Sequence, residues 1–249
     1  MTPSTFQSIQ KQQHPLIQRL SERILSVWQT YLPLSEYPVP KDLGYIEGRL
    51  EGQTLQIENI CYQTPQFRKI HLELAKVGEN LDILHCVMFP HSKYALPMFG
   101  TDIVCGRGTI SAAIVDLSPL GSDRLLPISY RRALQVLPPI DFADVRSLPS
   151  WGDIFSDYCL FVRPQGFKEE EKFLNRVGDY LSLHCQQAIA ARPETSQRTI
   201  QLVESKQSYY CEQQQKNDKT RRVLEKAFGP EWTDRYMSTM LFDCITEAA

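Results

Sequence analysis

Leu16, Ile17, Leu20, Ile24 and Trp28 recur at three- and four-residue intervals, which predicts an amphipathic helix ending before Pro33. Upstream, residues 1–14 are polar and glutamine-rich and read as a loose tail. Pro38 and Pro40 mark a linker. From Gly44 to about Leu117 the period shortens to short β-forming runs separated by glycine turns, over residues 48–52, 55–60, 69–76, 81–89, 99–105 and 110–117. Consecutive strands joined by short turns predict an antiparallel meander. Beyond Ser118-Pro119 the pattern becomes mainly helical, around residues 129–137, 167–190 and 195–228, with a last helix from about 231 and one strand over 158–163. Trp232, Tyr236 and Met240 repeat every fourth residue and read as core packing of that last helix. Helical segments on either side of the strands predict an α/β chain, a three-layer α/β/α sandwich around a central, mainly antiparallel sheet. All 249 residues are assigned to a single domain.

Four polar residues interrupt these apolar strands. His71 and Glu73 share one face of their strand, while Ile70, Leu72 and Leu74 share the other. His85 stands in a strongly apolar run, and Asp102 is flanked by β-formers. Each has an ordinary account alone: the wet face of a half-buried strand for His71 and Glu73, a hydrogen-bonded core histidine for His85. A carboxyl among apolar residues is costlier and asks for a partner or a task. The turn at Gly78-Glu79-Asn80 decides how they meet. A three-residue loop sets Glu73 opposite His85 on one face, and an even loop separates them. Acids and imidazoles converging on one sheet face would make a proton-transfer site.

Charge narrows the partners. Twenty-seven basic against twenty-nine acidic residues leave a net charge of −2, which argues against general binding to nucleic acid or membrane surfaces. No apolar run approaches the roughly 20 residues that span a bilayer, and the first residues lack a signal-peptide pattern, so a cytoplasmic protein is expected. Without coiled-coil heptads, a monomer is the expected state. Cys61, Cys86, Cys105, Cys159, Cys185, Cys211 and Cys244 are odd in number, scattered and free of any C-x-x-C pair, and so read as core fillers in a reducing compartment. Gly106-Arg-Gly108 lacks the third glycine of a dinucleotide fingerprint, and neither a P-loop nor G-x-S-x-G occurs. No recognisable means of holding nicotinamide, flavin, ATP or metal is written in the chain.

Five stretches, residues 44–52, 61–69, 71–78, 81–90 and 213–229, together resemble the ferredoxin-dependent bilin reductases. The resemblance implies the same α/β/α sandwich, with an open-chain tetrapyrrole between the sheet and the C-terminal helices. The implied activity is a four-electron reduction of biliverdin IXα to phycocyanobilin through bilin radicals, the D-ring exovinyl group first and the A ring second. No metal or flavin would be bound; electrons would arrive singly from a small acidic [2Fe-2S] ferredoxin, a transient partner. Asp102 matches the family's central aspartate and His85 its histidine partner, with His71 and Glu73 as further members of the proton network. The pairing of His85 with Glu73 resembles the phycocyanobilin-forming branch, Glu73 serving the D-ring vinyl group. Arg146, Lys219 and Ser111 match positions that hold the propionates, and Asn217 a pocket residue nearby. A flat apolar ligand with two carboxylates needs an apolar slot with cations at its rim.

A carboxyl in such a slot has a raised pKa, which would let Asp102 donate a proton and His85 refill it. The polar stretch over 213–222 reads either as a solvated helix face or, at 217–219, as a break at a pocket mouth. Arg221, Arg222 and Lys226 are candidate contacts for ferredoxin. A bilin reductase with another product, a non-catalytic bilin carrier or lyase-like chaperone, and a purely structural domain are the competing readings.

Overall fold

In the computed structural model, which describes residues 8–121 and 123–243, the alternating stretch folds as an antiparallel sheet. Its strands are β1 (Ser35–Glu36), β2 (Tyr45–Leu50), β3 (Gln53–Gln63), β4 (Phe67–Val77), β5 (Leu81–Pro90), β6 (Met98–Gly106), β7 (Thr109–Ser118) and β8 (Leu160–Val162). They lie in the order β1-β3-β4-β5-β6-β7-β8, with β2 also on β3. Two hairpins turn on two residues each, Glu51-Gly52 and Arg107-Gly108, all four with positive φ. That is the primed turn whose twist matches the flanking strands.

The turn joining β4 to β5 has three residues and begins at Gly78, with φ +46°. That φ favours glycine, and a Cβ there would lie 1.9 Å from Gln53 Oε1, so a side chain would have to displace the Gln53 amide. The odd loop sets Val77 opposite Leu81 and hence Glu73 opposite His85. Register then carries across the sheet: Asn59 faces Glu73, Glu73 faces His85, His85 faces Asp102, and Asp102 faces Ile114.

One sheet face buries Ile70, Leu72, Leu74, Leu84, Cys86 and Ile103 against α1 (Pro15–Tyr31), α2 (Ile128–Gln135) and α3 (Gly166–Ala190). The opposite face sets Leu55, Ile57, Ala75, Val87 and Phe89 against α4 (Gln197–Gln214), α5 (Asp218–Phe228), α6 (Pro230–Tyr236) and the π-helical turn Met237–Leu241. Three layers result, as the periodicity predicted. Each fully buried Leu, Ile or Phe contributes about 1.5–3 kcal/mol. Gly48 lets α5 close on β2, since a Cβ there would come within 2.3 Å of the Phe228 ring. Among the described residues, no helix is long and apolar enough to cross a membrane.

Four expectations are corrected. The loose tail does not extend to residue 14. Ser8 caps a 3₁₀ turn, Ile9–Gln12, with Ile9 buried; Gln13 Nε2 bonds the carbonyls of Ala75 and Ile83, and His14 caps α1. Residues 1–7 lie outside the described residues, as does Cys244. The expected continuous helix over 195–228 breaks at 215–217, where Asn217 Oδ1 accepts from Lys219 N and caps α5. Strand β8 is three residues long, shorter than expected, and the two-residue edge strand β1 was not anticipated.

Candidate active site

Past the irregularity between Phe67 and Lys69, β4 and β5 alternate, so the odd-numbered side chains from Lys69 to Val77 and from Leu81 to Phe89 face the C-terminal helices. A cavity of about 800 Å³ opens between this face and the residues around α5. Leu55, Ile57, Ala75, Ile83, Val104 and Ile114 make its apolar floor, Trp151 and Phe155 one wall, and Leu241 and Phe242 part of its cover. Its size is that of a site for a drug-sized or cofactor-sized molecule. Seven of the eight residues singled out from the sequence line it: Glu73, His85, Asp102, Ser111, Arg146, Asn217 and Lys219. His71, fully buried, sits behind the wall with its ring 6.0 Å from that of His85.

The polar groups of the floor form a row perpendicular to the strands. His85 Nδ1 lies 2.5 Å from Asp102 Oδ1, a charge-assisted contact. Burial pushes the His85 pKa down, but the Asp102 carboxylate, the bond to it and Glu73 outweigh that and leave it raised. Asp102 itself keeps 38% of its side chain exposed, whereas Glu73 is buried. Burial raises the Glu73 pKa, against His85 and a bond from Tyr236, whose hydroxyl lies 2.5 Å from Glu73 Oε2. His71 is held neutral by burial and by the nearby Lys69 and His85. Its Nε2 meets Asn59 Oδ1 at 2.7 Å. His71 Nδ1 and His85 Nε2 are buried without a hydrogen-bond partner among the described residues. An imidazole bonded to a carboxylate and a buried acid whose pKa is raised thus stand along one apolar slot, with a second imidazole behind them, an arrangement suited to sequential proton delivery.

The rim is cationic. The chain at 144–146 runs alongside β8, with Arg163 N bonded to Asp144 O and Arg146 N to Phe161 O, both at 2.9 Å. That carries the Arg146 guanidinium over the Phe161 ring and to the Ser111 carbonyl, 2.5 Å away. Lys216, Lys219 and Arg222 line the opposite lip, where α5 begins and its macrodipole is positive. The polar break at 217–219 is thus part of the pocket lining. All three candidate ferredoxin contacts are paired, Arg221 with Asp234 and Glu225, Lys226 with Glu51, and Arg222, which also lines the cavity, with Asp218.

Two residues at the site were missed from the sequence. Tyr236 was read as core packing, and it does stack on Trp232 at 4.9 Å, but its hydroxyl reaches Glu73 and Asn59. Extending the strand register by one more neighbour would have brought Asn59 beside Glu73.

Comparison with known proteins places this geometry in context. Residues 21–243 match the family model described as ferredoxin-dependent bilin reductase. The chain is 59% identical to a phycocyanobilin:ferredoxin oxidoreductase of Trichodesmium erythraeum, covering 93% of this chain and 94% of the relative. It is 58% identical to a protein of the same name from Synechococcus elongatus, covering 98% of each. Among solved structures, phytochromobilin synthase from tomato in complex with biliverdin superposes with a TM-score of 0.75 at 16% identity, covering 92% of this chain and 83% of that one. At that identity the likeness speaks for the fold.

Proposed function

The chain belongs to the ferredoxin-dependent bilin reductases, and from that membership we propose that it reduces biliverdin IXα to phycocyanobilin with four electrons drawn singly from a reduced [2Fe-2S] ferredoxin. The observation that carries the reading is the row of Glu73, His85 and Asp102 across the floor of one apolar cavity with a cationic rim. A conjugated bilin spreads an added electron over its rings, so the substrate itself serves as the redox centre and the protein supplies protons. The His85–Asp102 pair delivers to the centre of the ligand. Glu73, one strand away from His85, serves a different edge and directs the first reduction to the D-ring exovinyl group, with the A ring following. Arg146, Lys219, Ser111 and Asn217 hold the propionates at the mouth. His71 stays neutral behind the wall and supports His85. In this reading the whole chain works as one monomeric domain in the cytoplasm, with no bound metal or flavin.

The test is anaerobic mixing of the protein with biliverdin and a reduced ferredoxin system. Transient bilin-radical absorption is expected, followed by a pigment with the absorbance and chromatographic mobility of phycocyanobilin. A different pigment would reassign the product, and an unchanged bound spectrum would make the protein a carrier; either overturns the proposal.

A further inference from the structure

Behind the cavity wall, Asn59 and Tyr236 join His71 to Glu73 through continuous hydrogen bonds. Asn59 Nδ2 donates to the Leu43 carbonyl at 2.7 Å, which turns its Oδ1 toward His71 Nε2 at 2.7 Å and Tyr236 Oη at 3.0 Å. His71 therefore carries its proton on Nε2. Tyr236 has one hydroxyl proton and two acceptors within reach, Asn59 Oδ1 and Glu73 Oε2. With Glu73 ionised, that proton points to the carboxylate. With Glu73 neutral, the carboxyl O–H donates to Tyr236 Oη and the tyrosine proton turns to Asn59. The Glu73 Oε2–Tyr236 bond is thus kept in both protonation states.

We propose that Tyr236, with Asn59 as its alternate acceptor, is a positioning residue that lets Glu73 pass a proton to the substrate without leaving an unpartnered carboxylate in the apolar floor. This rests on the bilin-reductase reading and deepens it. The proton that leaves is the carboxyl proton of Glu73, which turns from Tyr236 Oη to the cavity side and ends on the bilin, while the Tyr236 O–H swings back to the carboxylate. The O–H bond of Tyr236 stays intact and rotates about its C–O bond from Asn59 to Glu73, so no proton passes through the tyrosine. A buried carboxylate deprived of that bond would resist forming. Tyr236 is fully buried and outside the cavity lining, so its influence on the ligand runs through Glu73.

The groups around Glu73 make the effect readable. Asn59 and Cys61 face it from β3, His71 lies two residues before it on its own strand, His85 faces it from β5, Asp102 from β6 and Tyr236 from α6, with Lys69 acting on His71 and His85 further along β4. Burial lifts the Cys61 thiol to about 12 and takes Tyr236 well above its ordinary value, while His71 stays neutral. The His85–Asp102 pair and Lys69 are common to wild type and variants. Glu73's carboxyl C=O infrared band, identified by its loss in Glu73→Gln, is titrated in the bilin-free protein.

In Tyr236→Phe the ionised form loses its donor, so the band should persist to a pH higher by about one unit. In Asn59→Leu the neutral form loses its alternate acceptor, so the band should vanish at lower pH than in wild type. Shifts of opposite sign are not what general loosening of the site produces. With biliverdin and reduced ferredoxin, Tyr236→Phe should bind the pigment as wild type does. Its Glu73-dependent step should slow by about tenfold, the alkaline limb of the pH profile should move upward and a half-reduced pigment should accumulate. An unshifted band in Tyr236→Phe, or shifts of the same sign in both variants, overturns the proposal. Failure of wild type to reduce biliverdin would overturn the functional reading alone, since the infrared titration needs no turnover.

Discussion

Asp102 and His85 face each other in register, and the 2.5 Å contact between them leaves little room for any other partner on that side. Replacing Asp102 by Asn keeps the shape and removes the charge that holds the His85 proton. Asp102→Asn is expected to bind biliverdin with little change and to lose at least about 100-fold in turnover, the usual scale for general acid–base catalysis. Single-turnover kinetics under reduced ferredoxin check this; wild-type yield would remove Asp102 from the chemistry. Alternation along β4 and the odd loop at Gly78 made the meeting of Glu73 and His85 legible from the sequence, because both follow from counting. Tyr236 was not legible. A tyrosine at helical spacing between Trp232 and Met240 is indistinguishable from core until its hydroxyl is seen to find a carboxylate. Arg146 reached the rim in the sequence reading only through the family resemblance, since its position depends on a chain segment running alongside β8.

At the level of elements, the strands were easier to read than the C-terminal helices. Strand boundaries follow glycine turns, whereas the break at 215–217 depends on Asn217 capping α5. The π-helical turn after α6 has a cause invisible to periodicity. Lys69 is fully buried on β4, its pKa lowered by burial, and its Nζ donates to the carbonyls of Thr239 and Met240 and to Asp243 Oδ1. Arg68 grips the other Asp243 oxygen at 2.8 Å. These two cations secure the segment whose Leu241 and Phe242 cover the cavity and whose Phe242 ring meets His85 edge-on at 5.6 Å. Lys69→Met is expected to destabilise the protein by roughly 2–4 kcal/mol, because it strips two carbonyls and one Asp243 oxygen of a buried charged donor. Urea unfolding monitored by circular dichroism checks it, and an unchanged midpoint would show that the segment is held by packing alone.

Across the molecule, the two cores respond to acid in opposite directions. In the core of α1 and α3, His184 is fully buried beside Phe67 and Phe99, with Tyr130 Oη 2.9 Å from its Nδ1, and burial lowers its pKa to about 3. Its folded value lies below the unfolded one, so the unfolded chain binds the extra proton. The stability this contributes is complete above about pH 6.5 and is lost as pH falls toward 3. Buried Asp116, which ties Ser156 and Ser118, runs the other way: burial lifts it to about 6, and stability falls as pH rises from about 4 to 6. Comparing wild type with His184→Gln cancels the Asp116 contribution. Between pH 7 and pH 5, wild type is expected to lose about 2 kcal/mol more than the variant in denaturant titrations; equal losses would mean that His184 is not held neutral.

The row of polar side chains also acts as a ruler. Neighbouring strands are spaced about 4.8 Å apart, so Glu73 and Asp102, two strands from each other, are anchored roughly 10 Å apart along the short dimension of the sheet. That interval belongs to the backbone ladder and does not stretch with side-chain motion. Under the proposed function, the regiochemistry available to an elongated pigment is therefore set by how many strands lie between two acids. Shifting an acid by one strand, with the sheet untouched, would move its point of attack along the ligand by a single ladder step.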